Sequence, residues 1–230
     1  VVNTAGDSRS VNWIDVDGDT DLDLFISNGP QAGENNFLYL NNGNGGFAPL
    51  TNDPIVQDAK PSDGATWADV DNDGDNDCFV VNWYNVNNLY YKNNGNGTFE
   101  QVLNGSQSND AGYSETASWG DYDNDSHLDL YVTNSEGAKK NFLYKGVGDG
   151  TFTKITTGTP VNDAFISRCA NWTDFDNDGD ADLFVTNEND QNENLYRNNG
   201  DDTFTKITTG ALVTNGGKTM SASWGDYDND

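Results

Sequence analysis

The chain has 230 residues, with 38 acidic side chains against 11 basic ones and a formal charge of −27. So acidic a surface argues against nucleic acid and anionic membranes as partners. An aromatic content of 12% and recurrent Val/Ile/Leu/Phe runs argue against a disordered acidic tail. No run of 18 apolar residues occurs, so no membrane-spanning helix is expected.

Taken in chain order, the first unit begins with a short strand ending at Trp13 (Ser10-Val11-Asn12-Trp13). An acidic loop follows, with Asp15, Asp17, Asp19, Asp21 and Asp23 on alternate positions, then an apolar strand, Leu22-Asp23-Leu24-Phe25-Ile26. The third strand is Phe37-Leu38-Tyr39. The Asn41-Asn42-Gly43-Asn44-Gly45 cluster then makes a tight turn, because Asn and Gly tolerate positive φ. A fourth strand begins near Phe47.

This unit recurs. Trp13, Trp67, Trp119, Trp172 and Trp224 are spaced 54, 52, 53 and 52 residues apart. The third-strand and turn segment returns as NNLYYKNNGNGTF from Asn87 to Phe99, NFLYKGVGDGTF from Asn141 to Phe152, and ENLYRNNGDDTF from Glu193 to Phe204. The repeats run over approximately 8–60, 61–113, 114–166 and 167–218, with a partial fifth at 219–230. Four short antiparallel strands per repeat predict an all-β fold, a β-propeller with one blade per repeat. No stretch shows sustained helical periodicity.

The acidic loops hold 22 of the 38 acidic residues, so the charge imbalance belongs to a repeated site. Counting the first Asp of each loop as position 1, positions 1, 3, 5 and 9 are Asp in every complete copy. They are Asp15, Asp17, Asp19 and Asp23, then Asp69, Asp71, Asp73 and Asp77. The third set is Asp121, Asp123, Asp125 and Asp129, and the fourth is Asp174, Asp176, Asp178 and Asp182. The fifth copy has only Asp226, Asp228 and Asp230. Neighbouring carboxylates at short range repel by roughly 1 kcal/mol or more, so a cation is expected among them. Position 7 varies as Asp21, Asp75, His127 and Asp180, which points to its backbone carbonyl as the ligand rather than its side chain. Hard oxygen donors at odd positions of a tight loop suit Ca²⁺, which takes about six to eight oxygens. Without a local Cys/His cluster, zinc and copper are disfavoured. An EF-hand would need Glu at position 12, where Ile26, Val80, Val132 and Val185 stand.

The motif W-x-D-x-D-N-D-G-D-x-D-L-x-V-x-N followed by N-x-L-Y-x-N-N-G-x-G-x-F resembles the FG-GAP/VCBS repeat of integrin-α-like propellers and many secreted bacterial proteins. The resemblance covers essentially the whole chain. It implies Ca²⁺ in the loop between the first two strands of each blade, one ion per complete loop, and a ring of about seven blades of which this chain carries four and the start of a fifth. Thr20 and Ser126 stand where Gly74 and Gly179 sit, so weaker binding is expected in the first and third loops.

The other residues are read more plainly. One Trp per repeat at a fixed phase is expected to pack between blades. Cys78 and Cys169 fall at different phases and are read as small buried hydrophobes, not a disulfide. Trp83, Tyr84 and Tyr113 lie outside the repeat phase and are candidates for a ligand surface. In a four-stranded meander the acidic loops and Asn-Gly hairpins share one face. The variable segments share the other, where binding specificity is expected. His127, the sole histidine, lies in an acidic loop, so no catalytic triad and no enzyme activity are expected. The expected function is a secreted or cell-surface calcium-binding module for adhesion, protein interaction or self-assembly. A carbohydrate-binding lectin and a non-catalytic propeller of a larger secreted enzyme are the alternatives. Its partner would be a protein or glycan, or a second copy.

Overall fold

The computed structural model describes residues 5–225. It contains four four-stranded sheets, each an antiparallel meander in chain order. The first blade runs Ser8–Ile14, Asp23–Asn28, Phe37–Asn41 and Phe47–Pro49. The second runs Ser62–Ala68, Asp77–Asn82, Leu89–Asn93 and Phe99–Gln101. The third runs Ser114–Gly120, Asp129–Asn134, Phe142–Gly146 and Phe152–Ile155. The fourth runs Ser167–Thr173, Asp182–Asn187, Asn194–Asn198 and Phe204–Ile207. The fold is the propeller that the repeat predicts. The described part of the fifth unit, 219–225, contains no strand.

The second strand of each blade reads as an apolar run because both its faces are covered. Phe79, Val80, Leu130, Tyr131, Val132, Leu183 and Val185 are fully buried. Blades pack through the repeated Trp. Trp67 meets Phe25 of the first blade edge-on at 5.4 Å, and Trp119 meets Phe79 at 6.4 Å. Trp172 meets Tyr131 at 6.1 Å, and Trp224 meets Phe184 at 5.6 Å. Each Trp therefore rests on an aromatic ring of the preceding blade, worth about 0.5–1.5 kcal/mol beyond area burial. Trp13 is the exception at 56% exposure. Both cysteines are free, Cys78 buried and Cys169 half-buried.

Two features were not anticipated from the residue pattern. Every connection to the next blade contains one helical turn: Pro54–Val56, Ser106–Asn109, Thr159–Asn162 and Ala211–Thr214. These turns sink Ile55, Gln107, Val161 and Val213 between blades, but span too few residues to show a period. The other feature is a repeated clamp. The third-strand tyrosine hydroxyls of Tyr91, Tyr144 and Tyr196 donate to Asp58, Asp110 and Asp163 at 3.1, 2.6 and 2.8 Å. Lys154 and Lys206 also reach Asp110 and Asp163, at 2.7 and 2.6 Å. Gln101 holds the corresponding strand register in the second blade, so Asp58 has no such cation. Burial raises the Asp58 carboxyl to about 6.

The first strands lie innermost and carry a bulge at Arg9, Asp63, Glu115 and Arg168. These four side chains and Met220 line a cavity of about 540 Å³ between the blades.

Candidate metal centres

Each acidic loop joins the first strand to the second. The position 1 carboxylate accepts backbone N–H groups from the far side of the loop. Asp69 takes Asp73 and Gly74 at 3.0 and 3.1 Å, Asp121 takes Asp125 and Ser126, and Asp174 takes Asp178 and Gly179. Asp15 takes Gly18 and Thr20, both at 2.9 Å. The position 2 side chains anchor the loop from below, with Val16, Val70 and Tyr122 buried. Tyr122 stacks on Trp172 of the next blade at 6.1 Å and 13°. The turn needs positive φ at position 6, which Gly74 and Gly179 adopt at 97° and 93°. Thr20 and Ser126 adopt 75° and 69° there, a left-handed conformation that costs a residue with a Cβ about 1–2 kcal/mol.

Position 9 has a double role. Asp23, Asp77, Asp129 and Asp182 are fully buried. One oxygen of each accepts the N–H of the third strand: Asn41 at 2.7 Å, Asn93 at 2.9 Å, Gly146 at 2.9 Å and Asn198 at 2.7 Å. The other accepts the position 2 N–H in three loops, from Val16, Tyr122 and Phe175, and the Tyr90 hydroxyl in the second. The carboxylate thus ties the acidic loop to the sheet. Burial raises Asp77 to about 6 and Asp129 to about 7, and moves Asp23 and Asp182 up as well.

Position 7 turns away from the other carboxylates. A Cβ on Gly43, Gly95 or Gly200 would meet the carboxylate of Asp21, Asp75 or Asp180, and one on Gly148 would meet the His127 ring. The side chain therefore sits under its own hairpin, in a slot that only glycine leaves free. Aspartate and histidine fill it alike. This accounts for the tolerance of His127 among four otherwise similar loops.

In each loop three carboxylates can bring one oxygen apiece within 4.8 Å of one another. The sets are Asp15, Asp17 and Asp19; Asp69, Asp71 and Asp73; Asp121, Asp123 and Asp129; and Asp174, Asp176 and Asp182. Positions 1 and 3 converge everywhere, and the third member is position 5 in two loops and position 9 in the other two. Asp125, Asp178, Asp23 and Asp77 stand beside these sets. Asp226, Asp228 and Asp230 lie outside the described residues. The donor set is all oxygen, and Asp71 Oδ1 is buried with no hydrogen-bond partner. Both observations fit a hard divalent cation.

Not legible beforehand was a lysine in two of the loops. Lys92, on the third strand, pairs with Asp71 and lies 3.3 Å from Asp73; Lys145 does the same with Asp123 and Asp125, again 3.3 Å from the latter. The hydrogen bonds they donate to these carboxylates raise both ammonium groups above their ordinary values. The matching positions carry Leu40 in the first blade and Arg197 in the fourth, and Arg197 is exposed.

The opposite face carries Trp83, Tyr84 and Tyr113, which the structure brings together. Their ring centroids are 5.0 and 5.2 Å apart about Trp83, both edge-on. A two-residue strand, Val86–Asn87, pairs with Ala111–Gly112 beneath them. In the other blades single bridges take its place, Glu34 to Lys60, Lys140 to Ala164 and Gln191 to Gly217.

Comparison with solved structures gives an Agrocybe aegerita lectin, described as recognising non-reducing terminal N-acetylglucosamine. It is 20% identical with a TM-score of 0.54, over 86% of this chain and 51% of that one. The chain thus spans about half the length of that lectin. The Tc holotoxin pore of Photorhabdus luminescens aligns at 16% identity and a TM-score of 0.44, over 86% of this chain and 9% of the toxin chain. Curated protein sequences give no match. The FG-GAP-like repeat matches four times, at residues 15–80, 69–132, 121–185 and 174–230, each span running from one acidic loop into the next blade. The chain belongs to the FG-GAP-like repeat family.

Proposed function

We propose that the chain is a calcium-stabilised propeller, secreted or at the cell surface, that binds a protein or glycan partner, or a second copy, through its variable-loop face. The observation that carries this reading is the convergence of three carboxylates in each of four loops. Ca²⁺ is the favoured ion because the converging donors are all carboxylate oxygens. The residues that would hold it are the carboxylates at positions 1 and 3, with 5 or 9 completing the set. Ca²⁺ would supply the positive charge that relieves their repulsion. Extracellular modules of this kind have dissociation constants of about 10⁻⁴–10⁻³ M, which suits a calcium-rich medium outside the cell. No catalytic role is proposed: His127 fills a structural slot against Gly148.

A glycan is the second reading, and the Trp83–Tyr84–Tyr113 cluster favours it, since partly exposed aromatic rings grouped on a rigid scaffold suit sugar stacking. The lectin found by comparison shares the fold, and its sugar becomes one candidate to test here. A non-catalytic propeller within a larger secreted enzyme is compatible with the same site. The calcium reading is tested by counting metal bound per chain after equilibrium dialysis against micromolar to millimolar CaCl₂. Saturable binding of about four ions is expected; no binding at 10 mM would overturn it. For the partner site, glycan-array binding lost in Trp83→Ala supports the second reading, and binding indifferent to that change rejects it.

A further inference from the structure

Four loops of nearly one sequence differ in a residue that lies outside them. In the second and third blades the third strand presents Lys92 and Lys145 directly above the loop, and each ammonium bridges the carboxylates at positions 3 and 5. Position 3 belongs to the converging set in all four loops. In the first blade Leu40 occupies the place, and in the fourth Arg197 faces outward without an ion pair to any described residue. From these contacts we propose that Lys92 and Lys145 are tethered cations that compete with calcium, dividing the four loops into a tight pair, first and fourth, and a weak pair, second and third.

This competition rests on the proposed calcium reading and extends it. A divalent ion must take oxygens of Asp71 or Asp123 that already face an ammonium, so binding there first requires the lysine to withdraw. The side chain has a route out, being 41% exposed at Lys92 and 34% at Lys145. Its charge then remains nearby and lowers the attraction of the site for a second cation, an effect of about tenfold at partly screened distances. The same lysines supply positive charge when calcium is scarce. The second and third loops are therefore built to hold their shape across a range of calcium that empties the first and fourth.

A different ranking would follow if backbone strain governed affinity. Thr20 and Ser126 would then weaken the first and third loops relative to the second and fourth. The two rankings cross, so they are separable.

The test is calorimetric titration with CaCl₂ of the wild-type chain, Lys92→Met, Lys145→Met, the double variant and Leu40→Lys. The wild type should show two affinity classes. Each Lys→Met change should move one site from the weak to the strong class, by about tenfold, and Leu40→Lys should move one the other way. A thermal melt in chelator adds an independent readout: the double variant should lose more of its midpoint on calcium removal than the wild type loses. Affinities unchanged in both Lys→Met variants, or weakened by them, would overturn the proposal while leaving calcium binding intact. Absence of any calcium binding in the wild type would instead overturn the calcium reading itself. Should the double variant not fold, Leu40→Lys decides, since an unaltered isotherm there contradicts competition.

Discussion

The indole N–H of Trp83 donates to Glu115 across the boundary between the second and third blades, at 2.7 Å. Glu115 also faces Arg168 of the fourth blade at 2.6 Å, and accepts from Ser135. One carboxylate thus connects the aromatic cluster on the variable face to the charged lining of the central cavity. The cluster is held from beneath. Trp83→Phe should keep the edge-on packing and lose the hydrogen bond, costing about 1 kcal/mol in urea unfolding, whereas Glu115→Ala should cost about 2–3 kcal/mol by leaving the Trp83 indole and the Ser135 hydroxyl without their acceptor and Arg168 with Glu188 alone. Equal losses in the two variants would show that Glu115 does not act as the hub.

Blade packing predicts an asymmetry between two tryptophans at the same repeat phase. Trp172 lies among Tyr122, Tyr131 and Phe204, while Trp13 is 56% exposed and touches only Phe47 among described aromatic rings. Trp172→Ala should destabilise by about 3–5 kcal/mol, and Trp13→Ala by less than about 1 kcal/mol. Denaturant unfolding of the two variants checks this directly.

Positions 3 and 7 of one loop should also separate. Asp176 belongs to the converging set, while the carboxylate of Asp180 lies against Gly200 and accepts from Asn124 at 2.7 Å. Asp176→Ala should abolish one calcium site, and Asp180→Ala should leave all sites with affinities within about threefold of wild type. Site counts by calcium titration distinguish them. Loss of a site in Asp180→Ala would mean that position 7 binds through its side chain.

Asp58 gives a pH dependence of defined sign. Its carboxyl titrates at about 6 in the folded chain because of burial, against 3.8 ordinarily. Between those values the folded state holds more protons than the unfolded one, so this group's contribution falls as pH rises from 4 to 6 and stays low above. The loss is about 2–3 kcal/mol. Gln101→Lys would supply the cation that Lys154 and Lys206 give to Asp110 and Asp163. It should stabilise the chain by about 1 kcal/mol at pH 8 and by little at pH 4, measured in saturating calcium. A gain that is the same at both pH values would contradict this account of Asp58.

The parts of this fold that were readable in advance are those encoded locally. The acidic loop, the following apolar run and the Asn-Gly turn lie within one repeat, and the Trp spacing sets the blade period. The sharing of one face by acidic loops and hairpins followed from strand order, and the contact of Gly97 N–H with Val16 O at 3.2 Å displays it between neighbouring blades. What could not be read depends on register between distant strands. Lys92 is 21 residues from Asp71, and only the pairing of Cys78 with Tyr91 sets its side chain above the loop. The burial of Asp77 and its bond to Asn93 are equally invisible in a run of alternating aspartates. Spacing showed that these carboxylates cluster, but not which one serves the sheet.

If calcium holds the acidic loops, a thermal melt in 10 mM CaCl₂ should separate from one in excess chelator. A site held at a hundred times its dissociation constant contributes about 2.7 kcal/mol, and each kcal/mol moves the midpoint of a chain this size by about 2–4 °C. With several sites filled, the midpoint should be at least about 10 °C higher in calcium. Coincident melting curves in the two solutions would contradict it.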